Sequence, residues 1–533
     1  MWSNHLYIIQ TYPSPKQFTR IPNTKHCKLE SMDVKRRKNS NQTEPSSNQK
    51  HENGTTDDDC FTNEDHHLIL SPTARLFHPP KFNCYVLIRI GSKTRINPEA
   101  IRVGLMENLS NHPHFSSKLV NEEKILGEKK RCERVSLNIE DHLIVPDVDW
   151  EMEQADHFVD QYISNLTTSP LDLSKPLWEV HNINVITSDA EAVAVTRIHH
   201  SMGDGAFPMS LLLAFTQKTS DPDALPTLPA TKRKLKLEDS SSSDWGVFWW
   251  FLLTIWSAIT LMRNTLVDLA LFIATALVLK DTKTPMKGPH GVEFTTKRFL
   301  HRTVSLDHIK QVKNALNMTV NDVLLGVTQA GFSRYLNSRY AAGENRKDEG
   351  AKQKGHNNLP KVICLRANIL VNLRPAIGIQ DMAHMMANTK CSNKIGDVLL
   401  PFTIALQDDP LDYVRGAKSL MDRKKDSLEA FCTYLCTNLV INLIGAKAVH
   451  LHFQSYADKM TICLSVDPDV YPDPEKLLDD LEDSLKFIHD AVVDKGLSIS
   501  RKEALSQDDS VHEMWNKLFR FFSFFQIDMF ERG

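Results

Sequence analysis

Ala192-Val-Ala-Val-Thr-Arg-Ile-His-His-Ser-Met-Gly-Asp-Gly205 is the stretch that decides how this chain is read. Its first part, within Ala190–Ile198, carries an apolar run that predicts a buried strand. Its second part, His199 to Gly205, sets two histidines and an aspartate among glycines at the end of that strand. Three chemistries fit. Adjacent residues of a strand point to opposite faces, so one metal ion rarely takes both histidines, and no metal is expected. A structural histidine pair with a turn aspartate is the second reading. The third is acid–base catalysis, in which an imidazole of pKa about 6.5 takes the proton of an alcohol as its oxygen attacks an activated acyl carbon. Gly203 and Gly205 would then let the backbone turn sharply and hold the ring at a cavity wall.

Upstream, Cys84–Ile90 reads as a strand and Pro98–Asn111 as a helix, with Ile101, Leu105 and Leu109 at helical spacing. Further strands are expected at Val135–Asn138 and Leu177–Val185. Downstream, Asp221–Ser243 reads as a linker, and Pro285, Gly288, Pro289 and Gly291 mark a hinge. Beyond it lie a strand at Arg298–Ser305, a helix at Leu306–Leu316 and a second helix at Asn321–Leu336, capped by Asn321 or Thr319. Gly343–Asn358 is a polar loop. Val362–Asn372 and Thr461–Asp467 read as strands, Pro410–Ala446 as one or two helices and Leu477–Val493 as an acidic amphipathic helix. Mixed strands and helices point to α/β or α+β layers.

The chain has 533 residues, enough for two to four domains of roughly 100–200 residues each. Its 63 Lys/Arg against 66 Asp/Glu offer no global field for nucleic acid, and none is expected as a partner. Nine scattered cysteines do not form a disulfide framework, which favours a reducing compartment. Residues 1–66 read as a disordered arm, and Leu6-Tyr-Ile-Ile9 is too short for a signal-peptide core of roughly 7–15 residues. Trp245–Met262 holds no charge and four tryptophans, and Leu266–Leu279 is broken only by Asp268. A single span, a tilted longer span with Arg263 and Asp268 facing protein, an in-plane hairpin and a buried core helix all fit. The tryptophans favour membrane contact, because indole prefers the headgroup level.

His-His-x-x-x-Asp-Gly, preceded by Pro176-Leu177-Trp178-Glu-Val-His181, resembles the plant-type wax ester synthase/diacylglycerol acyltransferases. The likeness continues in order through Ser71-Pro-x-Ala-Arg-Leu-Phe77, Asn111-His-Pro-x-Phe-Ser-Ser-Lys-Leu119, Asn321-Asp322-Val-Leu-Leu-Gly-Val-Thr-Gln-Ala330 and Val371-Asn-Leu-Arg-Pro375. It ends on Leu400-Pro-Phe-Thr403, Gln454-Ser-Tyr456 and Lys459-Met-Thr461, covering about residues 70–495. The resemblance implies a two-domain, CoA-dependent acyltransferase fold of the chloramphenicol acetyltransferase type, with two α/β halves meeting along a tunnel. The halves would span 67–235 and 291–495, flanking a linker at 236–290 with a membrane-associated segment near 245–279; residues 496–533 form an atypical tail. His200 would be the general base and His199 a supporting wall residue. Asp204, with Gly203 and Gly205, would fix the loop by pairing with Arg374, or with Arg298 or Arg366 instead. Pro176, Leu177, Trp178, Asn321 and Asp322 would line the substrate channel.

What the resemblance implies for function is esterification of a long-chain alcohol, of diacylglycerol, or of both, with fatty acyl-CoA as co-substrate and no permanently bound cofactor. No required protein partner is expected. The endoplasmic reticulum membrane is the expected location, with the plasma membrane as a second. One family block is missing: between Ala446 and His450, Gly445-Ala-Lys-Ala-Val-His-Leu-His-Phe453 runs straight through. The second half is therefore expected to leave Cys463-Leu-Ser-Val466 without a partner strand, unless the tail from Leu497 replaces it. The alternative is a shortened, catalytically impaired isoform that binds lipid or a partner. An amide-forming condensation domain, a third class, would expect a neighbouring carrier segment, and no such segment is read in the sequence.

Overall fold

A computed structural model describes residues 2–11, 62–63, 67–69, 85–110, 112–124, 127–203, 244–288, 295–344, 357–373, 395–436, 447–456, 458–497 and 524–530. The first half contributes β1 (Trp2–Thr11), β2 (Thr62–Asn63), β3 (His67–Ile69), β4 (Tyr85–Ser92), β5 (Ser117–Lys124), β6 (Gly127–Arg134), β7 (Leu143–Ile144), β8 (Trp178–Ile183) and β9 (Ala192–His199), with helices α1 (Pro98–Leu109) and α2 (Ala155–Thr168). After α3 (Asp244–Leu277), the second half adds β10 (Arg298–Ser305), β11 (Cys364–Asn372), β12 (Ile395–Thr403), β13 (Lys447–Tyr456), β14 (Lys459–Val466) and β15 (Phe524–Phe530). Its helices are α4 (Leu306–Ala315), α5 (Val320–Glu344), α6 (Leu411–Lys425), α7 (Glu429–Leu435) and α8 (Pro474–Asp494). They build a five-stranded sheet ordered β1-β4-β9-β8-β7, a six-stranded sheet ordered β10-β14-β13-β15-β11-β12 and a small sheet ordered β2-β3-β6-β5.

Covered on both faces, the central strands β4 and β9 read as near-continuous apolar runs. Ala155, Val159, Ile163 and Leu166 recur at helical spacing, so α2 lays one stripe on Leu87, Val193 and Val195. In the second half the pleat sorts side chains cleanly. Leu300, Ile462, Leu464, Leu451 and Phe453 join the core beneath α4, α5 and α8. The opposite face carries Cys463, Ser465, His450, His452 and Gln454, all buried and mostly polar. Phe299, on that same polar face, packs with Ile163, Val193 and Val195, which turns the face toward the first half.

The seam between halves is electrostatic as well as apolar. Asp189, between β8 and β9, accepts from both guanidinium nitrogens of Arg89 on β4, at 3.0 and 3.1 Å, and lies 2.8 Å from Nε2 of His301 on β10. Burial alone would raise the Asp189 carboxyl, but the His301 hydrogen bond and the Arg89 charge outweigh it and hold the group well below the usual carboxylate range. Burial pushes His301 the other way, below its ordinary value.

Several expectations are corrected. Val135–Asn138 is not a strand; it follows β6, whose pairing with β5 ends at Arg134. This β5–β6 hairpin is rich in Lys, Glu and Arg and has no apolar alternation to reveal it. Residues 1–66 are not wholly disordered: β1 pairs antiparallel with β4, from Leu6 opposite Ile90 to Thr11 opposite Tyr85. A four-residue apolar run is too short to read as a strand until an edge is there to receive it. The linker at 221–243 lies outside the described residues.

Cys463–Val466 does not lack a partner. Strand β14 is paired along its length by β10 on one side and β13 on the other. The slot that would have been open is between β13 and β11, and β15 occupies it, antiparallel to both: Asp528 is opposite His450 and Asn368, and Ile527 opposite Leu451 and Ile369. Without β15, β13 and β11 would each present a row of unpaired amides and carbonyls. Ending the chain after residue 523 should therefore lower the midpoint of thermal unfolding by several degrees and promote aggregation; a truncated protein that melts with the full chain would contradict this pairing.

Candidate active site

The strand β9 delivers the histidine pair, and the chemistry of its last residues fixes where that strand ends. Ala192 to Val195 are buried without polar demands, but Arg197 is 3% exposed and must place its donors. Its NH1 donates to the carbonyls of Leu166 and Ser169 and to Ser169 Oγ, each at 2.8 Å. Its NH2 donates to Glu179 on β8 at 2.6 Å, and the guanidinium lies over the Tyr85 ring at 5.2 Å. One cation thus fastens β9 to the end of α2, to β8 and to β4. The Glu179 carboxyl, pushed up by burial, is brought below its usual value by His181 and Arg197. His181 in turn is held by the Tyr162 hydroxyl, 2.9 Å from Nδ1.

His199 ends β9 and caps the short 3-10 turn of His200–Met202. The Ser201 amide donates to His199 Nδ1 at 3.2 Å, and Ser201 Oγ is 2.7 Å from the same nitrogen. An amide can only donate, so Nδ1 is the acceptor and the ring proton sits on Nε2. Tyr85 meets the His199 ring edge-on at 5.5 Å. His199 is therefore engaged with its own turn, and His200, 4% exposed, is the next ring along the chain. Gly203 closes the turn with φ 161°, an extended backbone that any residue adopts, so the sharp bend expected of this glycine is not there. Asp204, Gly205 and Arg374 lie outside the described residues. The two substitutes for Arg374 serve other carboxylates: Arg298 pairs with Glu475, and Arg366 pairs with Asp281 at 2.5 Å.

Pro176, Leu177 and Trp178 are buried directly beneath this turn. Trp178 donates its indole N–H to the Phe115 carbonyl at 2.9 Å and stacks on His142 at 4.2 Å. With Leu177, Tyr85, Ile198 and Met202 it forms one apolar cluster, so these residues form a floor under the histidines. Asn321 and Asp322 open α5. The Asp322 carboxylate accepts from the Thr319 amide at 2.8 Å and the Asp322 amide donates to Thr319 Oγ1 at 3.2 Å, a reciprocal cap that makes Thr319 the N-cap. The second Asp322 oxygen lies 3.6 Å from Lys425, which helps line a small apolar pocket with Ile369, Val371, Val398 and Met421.

Sequence reasoning missed Arg197, Tyr85, Glu179 and His142. Only Arg197 left a signal, a lone cation inside an otherwise apolar strand.

Two α/β halves, joined at a seam and carrying a paired-histidine turn at the end of a clamped strand, describe an acyltransferase. The model of the wax ester synthase/diacylglycerol acyltransferase catalytic domain matches residues 89–324, and that of the WS/DGAT C-terminal domain matches residues 391–451 and 444–489. Wax ester synthase/diacylglycerol acyltransferase 5 of Arabidopsis thaliana is 45% identical over 481 residues, covering 80% of this chain and 94% of that protein. Number 11 of the same plant is 44% identical over 477 residues, covering 80% and 96%. The chain belongs to this family, and it is an O-acyltransferase. Among solved structures, the wax ester synthase/diacylglycerol acyltransferase from Marinobacter aquaeolei VT8 is similar over 80% of this chain and all of that one, at 16% identity and TM-score 0.45. The two parts of the C-terminal match overlap at residues 444–451, around the start of β13.

Replacing Arg197 with Met should cost about 3–5 kcal/mol of stability, the usual result of stranding one member of a buried ion pair. The double variant Arg197→Met, Glu179→Gln should recover part of the loss. Denaturant midpoints of the parent, Arg197→Met, Glu179→Gln and the double variant check this; an Arg197→Met protein as stable as the parent would remove the clamp from the account.

Proposed function

We propose that this enzyme transfers a long-chain acyl group from acyl-CoA to the hydroxyl of a fatty alcohol, of diacylglycerol, or of both, with His200 as general base. The observation that carries the reading is the division of the pair: His199 is committed to the Ser201 amide through Nδ1, which leaves the proton transfer to His200. In the reaction His200 takes the hydroxyl proton as the acceptor oxygen forms a bond to the thioester carbon. The C–S bond then breaks, and the proton passes to the departing CoA sulfur, giving ester and free CoA. No acyl-enzyme is required. Trp178 and Leu177 support the turn from below.

The names carried by the relatives support this substrate class, and so does a helix long and apolar enough to cross a membrane, which brings the enzyme to bilayer-dissolved acceptors. We place the protein at the endoplasmic reticulum membrane, with the plasma membrane as a second site.

His200→Ala should lower turnover by about two to four decades with little change in unfolding midpoint, and His199→Ala should cost less turnover. The assay is expression in a yeast strain lacking its neutral-lipid acyltransferases, fed fatty alcohol, with wax ester and triacylglycerol both measured. Equal activity of His200→Ala and the parent would remove the base assignment. Ester in neither fraction would favour a shortened, lipid-binding protein without catalysis.

A further inference from the structure

From Asn264 onward, helix α3 is amphipathic the wrong way round for a water-soluble protein. Asn264, Thr265 and Asp268 are buried, whereas Phe251, Trp256, Ile259, Met262, Leu266 and Leu277 are exposed. Positions 264, 265, 268 and 275 share one face of a helix. That face is bonded to the second half at each of them. Asn264 donates to the Asp426 carbonyl at 3.1 Å, Thr265 Oγ1 accepts from the Leu428 amide at 2.9 Å, and Thr275 Oγ1 accepts from Arg366 at 3.3 Å. Asp268, with no exposed surface, accepts from Lys424 at 2.9 Å and from Arg423 at 2.8 Å. Lys424 also reaches Glu429 at 2.6 Å, whose carboxyl burial pushes up to about 7.

The outward face is apolar and carries no exposed acid. Between Trp245 and Lys280 the only acid is Asp268, which is locked inside, while Arg263 is exposed near the middle of the helix and Lys280 and Lys283 are exposed just beyond its C-terminal end. Hydrocarbon bordered by cations complements the interface of an anionic leaflet. The tryptophans on the helix fit the same depth.

Length and buried charge favour lying flat over crossing. The 34 residues of α3 extend about 50 Å, against a hydrocarbon core of about 30 Å. A crossing by Phe251–Thr275 would also carry Asp268, three-quarters of the way along the helix, and with it Arg423, Lys424 and Glu429 into the hydrocarbon, along with the exposed Arg263 near its centre, where ionised groups are costly.

We propose that α3 is an in-plane membrane seat: the Asp268 lock holds it flat on the second half, and its outer face lies along one leaflet of an anionic bilayer. This deepens the membrane reading given above and rests on it. The seat would present the second half to acceptors dissolved in that leaflet.

The test uses the full chain in two arms. The first is flotation with sealed vesicles of phosphatidylcholine containing about one third phosphatidylserine. The parent should float, and the triple variant Trp249→Glu, Trp256→Glu, Ile259→Glu should bind at least about tenfold less with an unchanged thermal midpoint. The second arm places short protease-sensitive epitopes before Asp244 and after Lys283, with the protein translated into microsomes. Protease added outside should remove both. Protection of one epitope, with flotation intact, would overturn the in-plane seat and leave the membrane reading standing. A parent that does not float would overturn both readings. A parent that instead dimerises without lipid, and becomes monomeric in the triple variant, would assign the face to a second copy and overturn the proposal.

Discussion

A buried guanidinium cannot be placed casually, and Arg197 organises the first half for that reason. Two positions before the histidine pair, it gathers the carbonyls at the end of α2, the carboxylate of Glu179 and the face of Tyr85 around one cation. Each partner belongs to a different element, so the strand end can move only if all of them move. The same constraint carries forward: Tyr85, under the guanidinium, also meets the edge of His199, and His199 is occupied by the turn it caps. The apolar floor of Trp178, Leu177 and Met202 removes the remaining freedom from below. The position of the histidine turn therefore depends on residues from three other elements.

The two halves are joined by different physics at different places. Asp189 draws Arg89 and His301 together across the seam, while Phe299 inserts into the apolar core of the first half. On the far side of the second half, Asp268 binds the long helix to Lys424 and Arg423. Asp268 is fully buried and Asp189 largely so, and removing the guanidinium or ammonium partner of either would leave a poorly solvated charge. Such pairs are weak evidence of stability but strong evidence of fixed geometry.

Much of this was legible in the sequence where the signal was local. Arg298–Ser305 and Leu306–Leu316 are read almost to the residue, because the period of apolar residues is a local fact. The histidine turn was legible because a buried strand ends in residues that have no reason to be together otherwise. What was not legible depends on pairing at a distance. The strand at 524–530 is meaningless until β11 and β13 offer two facing edges, and β1 has no partner until β4 exists. The Asp322 assignment shows a different limit: a carboxylate near a helix start can serve substrate or cap, and only the reciprocal bonds with Thr319 favour the cap. Gly203 shows the same, since its extended backbone does not use the freedom that glycine provides.

The central claim is that acyl transfer is direct, with one histidine acting as base and the other as support. The contact that could contradict it is on the same turn: Ser201 Oγ lies 2.7 Å from His199 Nδ1, a serine within reach of a base. Intact mass of the full chain after mixing with long-chain acyl-CoA, in the absence of any acceptor, separates the two. Direct transfer predicts an unmodified protein and no release of CoA. An added acyl mass that maps to Ser201 or His200 would contradict the account.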